Sequence, residues 1–189
     1  LTSMRAHQNP TFYKSSEKTE EWYKVIFQVV NASAKVLSNA LVFNENMSKD
    51  LDVGYDAGLL TDNNSYKLFT RMPIEDSDLD LMVQALPNLW DETLVIPIGL
   101  VHTAGGEVTF SIASVNLPEG VKAVIEDRTL NIFTDLLIDD YAVTIPTEAN
   151  SIGRFYLHVG TQITSVTDAV VDNFNFRIYP NPSKGEFFA

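Results

Sequence analysis

The sequence predicts an all-β fold, an antiparallel two-sheet β-sandwich of the jelly-roll type with about nine or ten short strands. Apolar and polar residues alternate with a period of two in many short runs, as they do in strands with one buried and one wet face. Turn-forming residues separate these runs, and no segment has the pattern of a convincing helix. Because free sheet edges invite aggregation, two packed sheets are a suitable arrangement for so many strands.

The alternation is clearest between Leu94 and Val159. Four runs carry it there, at residues 107–115, 121–126, 140–145 and 154–159. In each run the large apolar side chains fall on one face. We therefore expect burial of one residue set, namely Phe110, Ile125, Tyr141, Val143, Phe155 and Leu157.

The first half of the chain continues the pattern. Further strands are predicted at residues 22–30, 36–43, 66–70, 80–86 and 93–101. Pro97 lies within the last of these runs, and proline lacks the N–H that a sheet ladder uses, so an edge position or a bulge is expected there. The pattern weakens after Gly160. The predicted organisation is a lead-in at 1–20, a sandwich at 21–160, a linker at 161–173 and the start of a new unit at 174–189.

Composition narrows the classes of partner. The 189 residues include 25 acidic and 13 basic side chains, which give a formal net charge of -12. Such a charge repels nucleic acid phosphates and anionic lipids, so neither is expected as a partner. No apolar run approaches the roughly 18 residues of a membrane helix, and direct membrane insertion is not expected. The chain has no cysteine, which excludes disulfides and thiolate chemistry.

Clustered carboxylates are the candidate metal ligands. Asp50, Asp52 and Asp56 lie close together in a Gly-containing loop. Calcium takes six to eight oxygen ligands, which loop carboxylates can provide, although the spacing does not fit an EF-hand. The alternative is a solvated acidic turn, and this alternative is favoured for Asp76, Asp78 and Asp80.

Signs of catalysis are weak. The string Glu126-Asp127-Arg128 follows a predicted strand and is interpreted as a turn in which Arg128 bridges a carboxylate or caps carbonyls. His158 is expected to make a solvent or loop contact, and the three histidines lack metal-ligand spacing. The sequence has no Gly-x-Ser-x-Gly elbow and no Gly-rich phosphate loop.

Aromatic residues offer a binding hypothesis. Trp90 and Tyr55 are the candidate ligand-binding residues, since both lie in predicted loops. Exposed aromatic rings could stack on sugars, and the same holds for Trp22, Tyr66 and Tyr156. The alternative is that these rings belong to the core or lie half-buried in strands.

The C-terminal end carries a motif. Its residues are Phe176-Arg177-Ile178-Tyr179-Pro180-Asn181-Pro182-Ser183-Lys184-Gly185-Glu186-Phe187. The two prolines end a strand and Gly185 permits a turn that restarts the next one. This string resembles the opening of the type A C-terminal sorting domain of type IX secretion cargo in Bacteroidota. The family pattern is an aromatic and Ile/Val-Tyr/Phe strand, Pro-Asn-Pro, a small polar residue, any residue, Gly and an aromatic.

A looser resemblance covers roughly residues 22–159. These residues look like the β-sandwich region that often precedes the sorting domain in large surface proteins of the same bacteria. The matching pieces lie at residues 51–57, 96–100, 125–128 and 153–158. Together the resemblances imply a secreted or outer-membrane-attached protein whose partners are the type IX secretion machinery and a surface glycan or protein ligand.

Three functional hypotheses follow. The first is a non-enzymatic module of a secreted surface protein, acting as an adhesin-like, spacer or binding domain. The second is a carbohydrate-binding accessory module of a secreted polysaccharide-degrading enzyme. The third, a glycosidase or polysaccharide lyase, has the least support, because paired catalytic carboxylates need a separation that a sequence cannot show.

Overall fold

The computed structural model describes residues 21–60, 65–74 and 78–163. The predicted lead-in, Asp76, most of the linker and the C-terminal motif lie outside these residues. The described parts contain eleven β-strands and no helix. In chain order they are β1 (Tyr23–Asn31), β2 (Val36–Phe43), β3 (Ala57–Gly58), β4 (Tyr66–Thr70), β5 (Leu81–Leu86), β6 (Leu94–His102), β7 (Gly106–Asn116), β8 (Lys122–Asp127), β9 (Ile132–Asp135), β10 (Tyr141–Ile145) and β11 (Ala149–Gly160).

All eleven strands belong to one hydrogen-bonded sheet, which is nearly barrel-shaped. The strand order is β10-β7-β1-β2-β5-β4-β6-β11-β8-β9, and β3 pairs with β5 beside this path. Neighbours run antiparallel except β2 and β5, which are parallel. The all-β prediction is therefore confirmed, whereas the two-sheet jelly-roll is not.

The concave face of the sheet holds the core. The six side chains expected to be buried are buried, with exposed fractions from 0% to 8%. The ring of Phe110 on β7 meets that of Phe155 on β11 at 4.9 Å between centroids, so strands far apart in the sheet order pack on each other. The predicted strand registers are thus confirmed, since a slip of one residue would have exposed every member of this set.

Side chains close the gap between the two ends of the sheet. The end strands β9 and β10 follow each other in the chain, joined by a short connection. Leu136 in this connection is 4% exposed within the core, and its N–H donates to the carbonyl of Ala123. The hydroxyl of Tyr141 at the start of β10 donates to Asp127 at the end of β8, at 2.9 Å.

An edge position or a bulge was expected at Pro97. The edge position is wrong, because the strand is interior, whereas the β6–β11 pairing does contain a bulge, between Ser151 and Phe155, next to the pair of Tyr156 with Pro97. Its strand β6 lies between β4 and β11. The proline is tolerated because β4 ends at Thr70, beside it. The N–H of Arg71 still donates to the Pro97 carbonyl at 3.1 Å. Because Pro97 has no N–H to donate in return, the Arg71 carbonyl accepts instead from the side-chain amide of Gln84.

A second buried side-chain amide, that of Asn39, also donates to a backbone carbonyl nearby. Asn39, 1% exposed, donates from Nδ2 to the carbonyl of Leu81 at 2.8 Å. Strands β4 and β5 share the single pair Thr70–Leu81, so side chains replace ladder bonds where these strands diverge. The remaining oxygens of Asn39, Gln84 and Thr70 are buried without a protein partner.

We expect truncation of the core to be costly. Ile125 and Leu157 are 1% and 0% exposed, and replacing either with Ala should lower the free energy of unfolding by about 2–5 kcal/mol through lost transfer energy and a residual cavity. Urea denaturation measures this. Ile132→Ala is the control, since Ile132 is 40% exposed and the change should cost less than about 0.5 kcal/mol. Equal costs at buried and exposed positions would contradict the assigned packing.

Candidate functional site

The acidic loop lies at one end of the sheet, next to the loop that carries Trp90. The acidic loop connects β2 to β3. Its Lys49 forms an ion pair with Glu92 of the second loop at 3.3 Å, and Asn44 N–H donates to the carbonyl of Leu86. Two of the predicted candidate groups, the carboxylates and the aromatic residues, are therefore neighbours.

Two of the three candidate carboxylates, those of Asp52 and Asp56, accept hydrogen bonds from the protein itself. Asp56 accepts from the N–H of Asp52 through Oδ2 and from the N–H of Ala85 through Oδ1, both at 2.6 Å. Asp52 accepts from the N–H of Ser48 at 2.7 Å and from its hydroxyl at 3.2 Å. The Asp50 residue is exposed. Within residues 21–60, 65–74 and 78–163, no three acidic or histidine side chains are placed to hold a metal ion.

Asp56 therefore fastens the loop to the sheet. Partial burial raises its pKa above the ordinary value for an aspartate, although the two backbone N–H groups oppose this rise. A half-buried carboxylate that is held by two backbone donors is typical of a loop anchor. Calcium binding at Asp50, Asp52 and Asp56 stays a prediction.

The two candidate aromatic residues have different surroundings. Trp90 packs against the core, with its ring 5.4 Å from that of Tyr23 and 5.3 Å from that of Phe43. Tyr55 is 50% exposed and stacks on Trp22 at 5.6 Å. Trp90 and Tyr55 therefore do not form one open platform, because Trp90 contributes to the core and one face of Tyr55 is covered.

A buried ion pair lies at the closure of the sheet. Asp127 is fully buried; both of its oxygens share the single N–H of Arg154 Nε, at 3.0 and 3.2 Å, and Oδ2 also accepts from Nη2 at 2.7 Å. It also accepts from the Tyr141 hydroxyl and from the N–H groups of Thr129 and Leu130. The carboxylate is thus fully partnered.

The surroundings of Asp127 determine its charge state. Burial alone raises the pKa of Asp127, but the hydrogen bonds of Arg154 and Tyr141 and the positive charge of Arg154 outweigh burial, and the net pKa lies below the ordinary value. Burial and the neighbouring carboxylate raise the pKa of Tyr141. The surroundings therefore favour the charged form of Asp127, which is ion-paired with Arg154.

The outer face of the same strands carries a second set of polar groups. Glu126 lies 2.8 Å from His158 Nε2 and accepts from Arg128 Nε at 3.2 Å. The Arg128 guanidinium lies 3.5 Å above the ring centre of Tyr156. The predicted bridge from Arg128 to a carboxylate is confirmed, but the predicted turn is wrong for Glu126 and Asp127, which lie in β8. The expected solvent or loop contact of His158 is also wrong, because its side chain is 14% exposed and contacts Glu126 on the neighbouring strand.

A shallow cavity of about 370 Å³ adjoins Tyr156. Its lining includes Arg71, Asp78 and Ile152 as well as Tyr156. A bulge in β11 shapes it, and Gly153 adopts a φ of 93° in this bulge, which other residues reach only with strain.

Sequence reasoning missed both the Asp127 network and the cavity. Arg154 is 27 positions from Asp127, and nothing in the local pattern pairs them. A usable signal was present, however: the last residue of a strand whose alternate members are Ala123 and Ile125 must point inward, and an inward aspartate needs a cation.

A family model described as a domain of unknown function (DUF8693) matches residues 2–159. The chain belongs to this family. No curated protein and no solved structure gave a match. The family match ends at Val159, one residue before Gly160, the last residue of β11. Among the residues that the structure describes, no helix is long and apolar enough to cross a membrane.

We expect Asp127→Asn to lower the free energy of unfolding by about 3–5 kcal/mol, because the mostly buried Arg154 loses its counter-charge. Asp139→Asn, on the exposed connection after β9, is the matched control and should have little effect. Thermal and urea denaturation measure both. Equal stability of the two variants would contradict a structural role for the ion pair.

The Asp127 carboxylate also predicts that the stability of the fold decreases in acid. The pKa of Asp127 is lower in the folded protein than in the unfolded chain, so its contribution to stability is complete above the unfolded value of about 3.9 and is lost as pH falls through the folded value. Melting curves of the protein between neutral pH and pH 2 measure the loss, which should be smaller in Asp127→Asn.

The calcium hypothesis has a direct test. If Asp50, Asp52 and Asp56 bind calcium, the melting temperature should rise with millimolar calcium and fall with chelator, because a ligand bound only to the folded state stabilises it. Asp50→Asn should remove the rise, since this exposed carboxylate would be free to reach an ion. An unchanged melting curve would leave the three carboxylates as structural groups of the loop.

Proposed function

We propose that this protein is a non-enzymatic module of a secreted, cell-surface bacterial protein that leaves the cell through the type IX secretion system. The module acts as an adhesin-like, spacer or binding domain. The observation that carries the proposal is the motif at residues 176–187, with Tyr179, Pro180, Asn181, Pro182 and Gly185 at the family positions. The secretion machinery is the partner that this motif implies.

The position of the motif supports its role as a signal. The family match ends at residue 159, and the last strand that the structure describes ends at Gly160. The motif, at residues 176–187, follows the matched residues in the sequence.

The roles of the ionisable groups support a non-enzymatic module. Catalysis uses groups whose protonation is tuned to the reaction and which face a site for substrate. Here Asp127 is buried and held charged by Arg154, and Asp56 anchors a loop through two backbone N–H groups. Glu126 bridges Arg128 and His158. Each of these carboxylates has a structural task.

A carbohydrate-binding accessory module is the second candidate. Tyr156 favours it, because this ring lies on the outer face of the sheet and lines a cavity, although the Arg128 guanidinium covers one of its faces. Aromatic rings held on a rigid sheet suit sugar rings, which have apolar faces and polar rims.

Export is the test of the first proposal. Deleting all residues after Asp172 in the native host should leave the protein inside the cell, while the β-domain still folds. Immunodetection on intact cells and in the medium measures the location. Lys184→Ala is the matched control, since the motif accepts any residue there, and this variant should reach the surface. Normal surface display of the truncated protein would contradict the sorting role.

A further inference from the structure

The wall of the sheet has an opening between β2 and β4. Strand β5 lies between them in the sheet order, but it pairs with β2 only from Ala40 onward and with β4 only at Thr70. Among the strands that the structure describes, residues 36–39 therefore pair only with β1, and residues 66–69 pair only with β6. Two strand edges are thus left without a ladder on this side.

A cavity of about 280 Å³ occupies this opening, and side chains from both edges line it. Leu68 and Tyr66 are buried at its floor, and Leu37 and Leu59 are half-buried beside them. The rim consists of three exposed apolar side chains, those of Val36, Leu60 and Met82. Exposed apolar side chains that cluster around a cavity, rather than lying singly, mark a surface used for binding.

The polar groups at this cavity include a cation and a hydroxyl group. Lys67 and Ser38 belong to its lining, and no described aspartate or glutamate does. Lys35 lies close by, with its ammonium group 5.4 Å from the ring centre of Tyr66. Within the described part of the chain, no carboxylate forms an ion pair with Lys35 or Lys67. Two positive charges at the cavity are therefore available to a ligand.

The charge at this cavity is opposite in sign to that of the protein, whose formal net charge is -12. The cavity beside Tyr156 includes the carboxylate of Asp78, and the cavity at the Trp90 loop includes those of Asp91 and Glu92. At physiological ionic strength, charges more than about 8 Å apart are largely screened. A small anion in the cavity therefore responds mainly to the nearby lysines, whereas an extended anionic surface would meet the whole net charge.

The lining of the cavity favours an alkyl chain over a flat ring. Leucine and methionine side chains predominate, and methionine adapts its shape to irregular apolar groups. The one aromatic ring, that of Tyr66, is approached by Lys35. A water molecule takes about 30 Å³ of liquid and a methylene group is of similar size, so 280 Å³ accommodates about eight or nine carbon atoms.

We propose that the opening between β2 and β4 binds a medium-chain alkyl carboxylate, the anion of a fatty acid with about eight carbons. The alkyl chain lies among Leu37, Leu68 and Met82. The carboxylate accepts hydrogen bonds from Lys67 and Ser38, and Lys35 adds positive charge. This inference goes beyond the proposed function, because it assigns a ligand to the β-domain itself and does not depend on export.

A series of chain lengths tests the apolar part of the site. Titration of the full chain with octanoate, followed by NMR, should show saturable binding with a dissociation constant of about 1 mM or lower. From butanoate to octanoate, each added methylene group should strengthen binding about threefold to fourfold, and longer chains should gain little once the cavity is full. An affinity that rises steadily to dodecanoate would indicate adsorption to exposed apolar surface and would overturn the site.

Lys67→Met tests the head group, because it keeps the length of the side chain and removes the charge. Octanoate should bind this variant about tenfold more weakly or worse, as expected when a hydrogen bond to a charged group is lost. Octanol should bind the variant and the parent equally. Lys122→Met is the matched control, since Lys122 is an exposed lysine at the start of β8, two strands away from β4 in the sheet, and this variant should bind octanoate as the parent does.

Octylamine has the same chain and the opposite charge, so it should bind the parent at least about tenfold more weakly than octanoate. Equal octanoate affinity in Lys67→Met and the parent, equal binding of octylamine and octanoate, or no saturation up to about 10 mM octanoate would overturn the proposal. Melting curves establish that each variant is folded. If Lys67→Met is not, Lys35→Met decides the outcome, since Lys35 is exposed before β2, and unchanged octanoate affinity in that variant would count against the site. None of these results bears on export, which the truncation tests separately.

Discussion

The charge of Asp127 is the constraint on which the closure of the sheet depends. A fully buried carboxylate is tolerated only when its charge and its lone pairs are matched, and here Arg154, Tyr141 and two backbone N–H groups supply the match. These partners come from β11, from β10 and from the turn after β8, so one aspartate connects β10 to the paired strands β8 and β11, with which β10 shares no ladder. Replacing the ion pair with apolar residues could keep the stability, but it would remove the directional bonds that set the position of Tyr141.

The same strands have two different chemistries on their two faces. Inward, Ile125 and Leu157 belong to a dry core, and outward, Glu126 and His158 form a polar pair. The core fixes the spacing of the strands, and the strands fix the spacing of the outer groups. A surface that is built this way keeps its shape without a ligand, in contrast to a site made of loops.

Much of the local structure could be predicted from the sequence, because a period of two is a local signal. The strands with long alternating runs were found with nearly correct bounds, and the burial of Phe110 and Tyr141 was correct. The two-residue strand β3 and the four-residue strand β9 were missed, since such short segments show no period. Of the two expectations for Pro97, an edge position or a bulge, the edge was wrong because the donation of Gln84 to the Arg71 carbonyl depends on a distant strand.

Local sequence patterns could not predict the order in which the strands pair or which residues meet at the candidate site. Strand β1 pairs with β7 across more than half of the domain, so neither the single sheet nor its closure follows from the runs alone. The sequence drew attention to Asp50 and Trp90, which stand out by composition. Glu126 and Tyr156 on the outer face are instead neighbours only through the register of β8 and β11.

The position of β11 has a mechanical consequence. The second half of this strand, Phe155–Val159, is bonded to β6 on one side and β8 on the other, and the N–H of the residue that follows the strand, Thr161, donates to the carbonyl of Trp90. In a protein tethered at its C-terminal end, tension would enter the domain through this strand. Because it lies inside the sheet, β11 could be extracted only by shearing two ladders at once, and a module attached in this way resists a pull far better than one whose last strand could be peeled from an edge.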